Sequence, residues 1–419
     1  MQLETFDHVI VGGGILGASI AYHLARKDAG AVLLLERNEL ASAASSQAAG
    51  LLLQASTRLC NTALAKMTRD TIPVLEDELG EKVGFHEVGS LRVAASEACA
   101  TELEVMAADA INCKIPFDWI NPAEAGAMIS WLNPSPIIKA AFLPSDGYVD
   151  PYLLSMMYAR AARARGVIIR PRTEVIKILL NGDKVTGVMT SPGQIACSNV
   201  IDAGGAWAAL LSADVGYPLP MAPVRSHYWI SEPDNLYGGE HPITIIPDVA
   251  AYTRPEVGGL LIGIQEPQSA TFDAHDIPRD PGSFSPTEGE EHWELLIDAC
   301  EAVARFFPAI MQARFSSYVC GLSSYTPDGN ILLGPVPGIE GLLAAAGDCG
   351  SGVTLSAGIG DAIADLALGH QTAFDITSFN PARFGPVNPF SKPFRQRCAA
   401  ARAAKSRQSN QVQIEVMVK

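Results

Sequence analysis

The sequence has no CxxC pair, no apolar run of membrane-spanning length, and fewer cations than anions. Its cysteines (Cys60, Cys99, Cys113, Cys197, Cys300, Cys320, Cys349 and Cys398) are scattered through 419 residues. That spacing is neither a zinc-ligand pattern nor a disulfide framework, and no metal is expected. No apolar stretch reaches the roughly 18 residues of a membrane span. The first residues show neither a basic n-region nor a small-residue cleavage site. Lys and Arg total 30 against 45 Asp and Glu, a formal net charge of -15, which argues against nucleic acid or an anionic membrane as partner. Charged residues make up 18% and hydrophobic ones 48%, so the chain reads as globular and long enough for two closely connected domains. A soluble, reduced, cytoplasmic protein is expected.

What is present begins at the N-terminus. Phe6 to Val11 is a short apolar strand, and Gly12 to Gly17 then matches G-x-G-x-x-G at Gly12, Gly14 and Gly17. A helical stretch runs from Ile15 to about Arg26, with Leu16, Ile20 and Leu24 on one face, and a second strand from Ala31 to Leu35 ends on Glu36. Gly12 permits the tight turn, Gly14 lets the backbone approach a pyrophosphate, and Gly17 lets helix and strand pack closely. The helix start offers free N–H groups and a positive dipole end to phosphates. Glu36 suits a ribose diol and would repel a 2′-phosphate. The glycines alone are weak evidence; strand, helix, second strand and terminal acid in register specify the ADP half of a dinucleotide site.

The segment after Glu36 is dense in small residues, Ser42-Ala43-Ala44-Ser45-Ser46-Gln47-Ala48-Ala49-Gly50. It suits a loop lying against a bulky ligand, or a plain flexible linker. Near the other end, Gly341 to Ala346 reads as a strand, Gly347-Asp348-Cys349-Gly350-Ser351-Gly352 as a glycine turn, and Val353 to Leu368 as a helix. A second helix N-terminus aimed at the same ligand is what a flavin needs, because reduction places negative charge around N1 and the C2 carbonyl.

With these elements in place, the chain resembles the D-amino-acid oxidase and sarcosine/dimethylglycine dehydrogenase superfamily of flavoenzymes over nearly its whole length. The resemblance is carried by the opening motif with Glu36, by Ser45 to Leu51, and by Asp146-Gly147-Tyr148-Val149-Asp150-Pro151. Asn199 to Trp207, Thr326-Pro327-Asp328-Gly329 and Gly347 to Gly352 continue it in order. It implies an α/β fold: a Rossmann-type FAD-binding domain interleaved with an α+β substrate domain on a mixed sheet. The expected segments are 1–88, 145–216 and 318–378 for FAD, 89–144 and 217–317 for substrate, and 379–419 as a C-terminal extension. The implied FAD contacts are Gly12, Gly14, Ile15, Leu16, Gly17, Glu36, Arg37, Ser45, Ser46, Ala49, Gly50, Leu51, Val175, Ala203, Gly204, Trp207, Gly321, Gly347, Gly350, Ser351, Gly352, Val353 and Thr354. Trp207, taken alone, reads as core. Pro220 to Gly263 alternates like strands, and Glu266 to Glu291 reads as a surface excursion. The tail carries Arg383, Lys392, Arg395, Arg397, Arg402, Lys405 and Arg407, a solvated basic helix or a contact for a neighbouring subunit.

Departures from the pattern carry information too. Monomeric sarcosine oxidases hold a substrate carboxylate with an Arg and a Lys where this chain has Leu53 and Thr354. D-amino-acid and glycine oxidases often carry G-L-R before T-P-D-G, where this chain has Gly321-Leu322-Ser323. Small amino acids are therefore poor candidates by this reading. Pro223 to Trp229 and Tyr252-Thr253-Arg254 look closest to the dimethylglycine dehydrogenase branch, without the folate-binding domain that branch often appends. Those enzymes attach FAD through a His where Gln47 stands, and monomeric sarcosine oxidases through a Cys where Gly321 stands. Cys320 is one residue off and should face the other way. FAD is thus expected without a covalent bond. Leu261 stands where sarcosine oxidases place an oxygen-activating Lys, which favours a dehydrogenase passing electrons to another carrier.

The chemistry implied is hydride removal from a carbon beside an amine nitrogen, giving an imine that water hydrolyses. Tyr252 and Arg254, two apart on a strand, share one face; Tyr252 would orient the amine and Arg254 an acidic group. His227 could accept the ammonium proton. Two other readings stay open. One is a dehydrogenase or oxidase of D-amino, cyclic imino or 2-hydroxy acids. The other is the FAD-carrying subunit of a heteromeric amine oxidase, with a partner chain.

Overall fold

Strands that are apolar along their whole length need cover on both faces, and Val32–Leu35, buried at every position, is one of them. The computed structural model describes residues 3–405 other than 238, 281 and 283. Glu4–Val11 lies at the centre of a first sheet, parallel to Gln194–Asp202 on one side and Val32–Leu35 on the other. Leu342–Ala346 and Ile168–Arg170 extend it in parallel, and Leu332–Pro335 closes one edge antiparallel. Lys184–Thr190 and Val175–Asn181 add antiparallel pairs. Helices Ile15–Arg26, Leu59–Leu79, Pro151–Ala164 and Gly352–Ala367 pack together over one core.

Because the inner strands are parallel, their carboxyl ends emerge side by side. Gly12, Glu36, Ala203 and Gly347 therefore follow strands that end at one edge, the crevice where open α/β sheets bind ligands. Gly12 N–H donates to the Leu35 carbonyl and Ala203 N–H to the Val11 carbonyl, at 2.8 and 2.9 Å. Gly12 has φ +107, and a Cβ there would meet the Ala203 carbonyl oxygen at 2.4 Å. At Gly17 a Cβ would lie 1.9 Å from the Gly12 carbonyl oxygen, so helix and turn touch backbone to backbone.

The second sheet runs Phe315–Tyr325, Ala222–Ser231, Gly259–Ile264, Ala251–Glu256, Ile243–Ile246, Ser90–Ala94, Lys139–Leu143, Asp118–Ile120. Its pairs are antiparallel except Ile243–Ile246 with Ser90–Ala94, which makes the sheet mixed. One face packs with Trp131, Trp229, Leu296, Phe306 and Phe307 in a core of its own. The other face roofs the crevice. Phe315–Tyr325 belongs to this sheet by its pairing, so the expected boundary at residue 318 falls inside a strand.

Two expectations about the surface are corrected. Within Glu266 to Glu291, Arg225 holds Glu266 through Nε (3.1 Å) and Nη2 (2.7 Å), and Glu291 through Nη1 (2.7 Å) and Nη2 (2.9 Å). Ala274, Ile277 and Thr287 are buried, so the segment is clamped inward at a buried cation. The tail helix Lys392–Ala403 is not solvated all round. Phe394, Cys398, Ala401 and Arg402 recur at i, i+4, i+7 and i+8 and are buried against Ala222–Ser231 and Phe315–Tyr325. Counting its charges hid that stripe. Arg407 lies outside the described residues.

Gly17→Ala should destabilise the chain by about 1–3 kcal/mol, the usual cost of overpacking. Urea unfolding of the apoprotein measures it; an unchanged midpoint would show that the helix can move off the turn freely.

Candidate functional site

Two cavities adjoin along the crevice. The smaller, about 190 Å³, is lined by Gly12, Gly14, Glu36, Arg37, Ser45, Val175, Ala203, Gly204, Trp207 and Gly321 among the expected residues. The larger, about 360 Å³, takes in Ile15, Ser45, Ala49, Gly50, Leu51, Gly321, Gly350, Ser351, Gly352, Val353 and Thr354. Ser45, Gln47 and Gly321 border both, so the two form one elongated space. Leu16, Gly17, Ser46 and Gly347 line neither; Ser46 Oγ instead donates to the Ala43 carbonyl at 2.9 Å, within its own loop. Ile277, Phe284 and Pro286, from the clamped excursion, wall the smaller cavity, which the polar composition of that segment did not suggest. Trp207 borders it as well, with the Arg37 guanidinium 3.9 Å from its ring centroid, rather than serving as core.

Glu36 organises the first turn. Gly13 N–H donates to its Oε2 at 2.7 Å and Asn38 N–H to its Oε1 at 2.8 Å. A carboxylate offers about four lone-pair sites, so capacity for a diol remains. Ser45 Oγ accepts from Ile15 N–H at 2.9 Å, which draws the small-residue loop onto the helix start. At the second turn, half-buried Asp348 accepts from Gly352 N–H at 2.7 Å, and Thr354 Oγ1 donates to the Leu51 carbonyl at 2.8 Å. The loop is thus held between two helix starts and is no free linker. An acid for a ribose, a turn open to a cavity and a second helix start further along fit a flavin dinucleotide.

The roof is one face of the second sheet. Ser226 pairs opposite Gly321, Ala222 opposite Tyr325, and Tyr252 opposite Gly263. Ser226, Tyr228, Tyr252, Gly321, Ser323 and Tyr325 all border the larger cavity. Burial raises the Tyr252 and Tyr325 hydroxyls above their ordinary range, so both stay protonated. Sequence reasoning missed Tyr325, although it stands four residues after Gly321 and shares its face by strand alternation.

Strand alternation also decides against His227 as a base. It pairs opposite Cys320, on the face turned from Ser226 and Gly321. It borders the cavity, but its Nδ1 is 3.1 Å from the Tyr318 hydroxyl and its ring packs on Trp229 at 4.8 Å. Burial, then Arg402 and Arg225, push its pKa down to about 3, too low for a base at neutral pH. Cys320 accepts from Thr287 Oγ1 at 3.3 Å and lines neither cavity.

Arg254 is occupied elsewhere. Its Nε donates to the Ala49 carbonyl at 2.7 Å and its Nη1 to the Pro255 carbonyl at 2.7 Å. Nη1 also lies 2.6 Å from Glu256, and the guanidinium sits 4.7 Å from the Tyr148 ring centroid. It pins the small-residue loop instead of facing a substrate. The cavity's positive charge comes from Arg92, Arg402 and Lys405, none of them foreseen at the site.

No helix among the described residues is long and apolar enough to cross a membrane. Residues 7–366 match the family model "FAD dependent oxidoreductase". The chain is 33% identical over 378 residues to the 4-methylaminobutanoate oxidase (formaldehyde-forming) of Paenarthrobacter nicotinovorans, covering 90% of this chain and 45% of that protein. It is 29% identical over 390 residues to the mitochondrial dimethylglycine dehydrogenase of Rattus norvegicus, again 90% of this chain and 45% of the other. The chain thus spans about half the length of these two curated relatives. The solved glycine oxidase of Geobacillus kaustophilus superposes with a TM-score of 0.75 at 29% identity, over 92% of this chain and all (100%) of that one. By that match along most of its length, the chain belongs to the family of FAD dependent oxidoreductases.

Proposed function

We propose that the protein oxidises a C–N bond of a secondary or tertiary amine of the N-methyl amino acid type, giving an imine that water hydrolyses. The reading is supported by the similarity to 4-methylaminobutanoate oxidase and dimethylglycine dehydrogenase. The observation that carries it is the roof: two protonated tyrosine hydroxyls, Tyr252 and Tyr325, beside the cations Arg402 and Lys405. FAD, when bound, supplies a two-electron acceptor for hydride. The chain's own residues must present the amine neutral and hold water back. Tyr252 orients the nitrogen through its hydroxyl. The neighbouring positive charges disfavour an ammonium, so the substrate enters as the neutral amine, its proton left with bulk water. That removes the need for His227.

Gly12, Gly14, Glu36 and the loop Ser45–Leu51 would hold the dinucleotide, with Gly350 to Thr354 at its other end. Gly259–Ile264 carries no charged side chain and Leu261 is fully buried. We read the acceptor of the electrons as a carrier other than oxygen, either diffusible or on a partner chain. A second reading, oxidation of a small primary amino acid, draws on the full-length match to glycine oxidase.

Glu36→Lys should purify colourless. It loses one or two charge-assisted hydrogen bonds to the dinucleotide, about 1.5–3 kcal/mol each, along with the acceptor for Gly13 and Asn38. Full flavin occupancy would contradict the assignment. Anaerobic mixing with N-methyl amino acids, D-amino acids and 2-hydroxy acids tests the reaction class. Bleaching of the yellow band by the N-methyl compounds is expected, and bleaching by hydroxy acids alone would overturn it. Tyr252→Phe should keep its flavin and lose about tenfold in kcat/KM; unchanged kcat/KM would remove Tyr252 from the site.

A further inference from the structure

The helix Lys392–Ala403 lies beyond residues 7–366, the part that matches the family model, yet it closes the site. Phe394, Cys398 and Ala401 pack with Ala222, Val224, Tyr325 and Cys349 in a small core of their own. That packing carries the next residue, Arg402, under the roof. Arg402 is only 5% exposed and borders the same cavity as Tyr252 and Ser226. Its Nε donates to Ser226 Oγ at 3.2 Å, while its buried Nη1 has no hydrogen-bond partner among the described residues. Lys405, one turn on, donates from Nζ to the Gly350 carbonyl at 2.6 Å. A Cβ on Gly350 would meet both Lys405 Nζ and the Tyr325 hydroxyl at 3.0 Å, so this ammonium sits at the second glycine turn.

A buried cation with a half-buried one beside it is costly unless an anion joins them. Burial and Arg402 together pull the Lys405 ammonium down to about 8, opposed by Asp348. Lys405 therefore has a carboxylate nearby, and Arg402 is the less compensated of the two. Arg92 borders the cavity too, but its Nη2 donates to the Ala55 carbonyl at 2.8 Å and lies 3.9 Å from buried Asp146. A guanidinium with an unpartnered N–H suits a carboxylate better than any neutral group.

We propose that Arg402, supported by Lys405, binds the carboxylate of the substrate, so that the C-terminal helix makes the site selective for amino acids bearing an N-alkyl group over uncharged alkylamines. This rests on the amine reading above and deepens it. The expectation that small amino acids are poor candidates relied on neutral Leu53, Ser323 and Thr354. All three border the cavity, and the positive charge arrives from a different element.

The test uses the FAD-loaded full chain as wild type, Arg402→Met, Arg402→Lys and, as a surface control on the same helix, Arg397→Ala. Each is assayed with sarcosine and 4-methylaminobutanoate, and with the amines that lack their carboxylate, dimethylamine and N-methylpropylamine. In parallel, acetate and butanoate are titrated against the flavin absorption band, which requires no turnover. Arg402→Met should lower kcat/KM for the carboxylate-bearing amines on the order of 100-fold and weaken carboxylate binding similarly. The uncharged amines should lose nothing, Arg402→Lys should recover part of the loss, and Arg397→Ala should match wild type. Equal losses on both amine classes, or unchanged carboxylate binding, would overturn the proposal. If no amine reduces the wild type, the amine reading fails and the titration alone decides: weaker binding in Arg402→Met upholds the anion site, and unchanged binding sinks it. Should Arg402→Met fail to fold, Arg402→Lys in the same titration decides by the same criterion.

Discussion

Successive residues of a strand point to opposite faces, and across the second sheet that two-residue period sorts chemistry from packing. Ser226, Tyr228, Tyr252, Gly321 and Tyr325 come to the cavity side. Their immediate neighbours, His227, Trp229, Thr253 and Cys320, go to the side that packs on Tyr318 and the core around Trp131. A slip of one residue of Phe315–Tyr325 along Ala222–Ser231 would turn its own side chains to the opposite face. The cavity would then hold the Cys320 thiol in place of Gly321. The remaining features of the site depend on this register: the room beneath Gly321, the protonated tyrosines and the seat for the C-terminal helix.

The floor depends on a different constraint, backbone contact. Parallel strands deliver Gly12, Glu36, Ala203 and Gly347 to one edge, and the absence of side chains at Gly12 and Gly17 lets turn, helix and neighbouring strand touch. Small-residue density between Ser42 and Gly50 has the same cause, since that loop is held against Ile15 on one side and Thr354 on the other. Arg254 adds a third tie through the Ala49 carbonyl. Charge placed for architecture and charge placed for a ligand are thus separated. Arg254 and Arg225 are matched by carboxylates, whereas Arg402 keeps its Nη1 without a hydrogen-bond partner among the described residues.

Local rules were sufficient for the floor. Glycine spacing, strand polarity and the acid at Glu36 are properties of contiguous sequence, and the helix Ile15–Arg26 begins and ends where its pattern does. The orientation of Cys320 was legible for the same reason, because it follows from counting along one strand. What sequence could not convey was which partner each long cation would find. Tyr252 and Arg254 share a face, but only the fold shows Arg254 turning to Ala49 and Glu256. His227 looked like a base because its intrinsic pKa suits one, and burial beside two arginines removes that property. The tail read as charge rather than as an amphipathic stripe, although Phe394, Cys398, Ala401 and Arg402 were spaced to be found.

The register of the second sheet is the claim on which the account turns, and the flavin linkage reports it. Gly321 and Gln47 face the cavity and Cys320 lies behind the strand, so none of these three offers the flavin a nucleophile. Precipitating the FAD-loaded protein with acid and recording spectra of both fractions measures this directly. The account predicts that all the yellow colour leaves with the supernatant. Yellow colour retained in the pellet, and released in Cys320→Ser, would place Cys320 against the flavin and contradict the register.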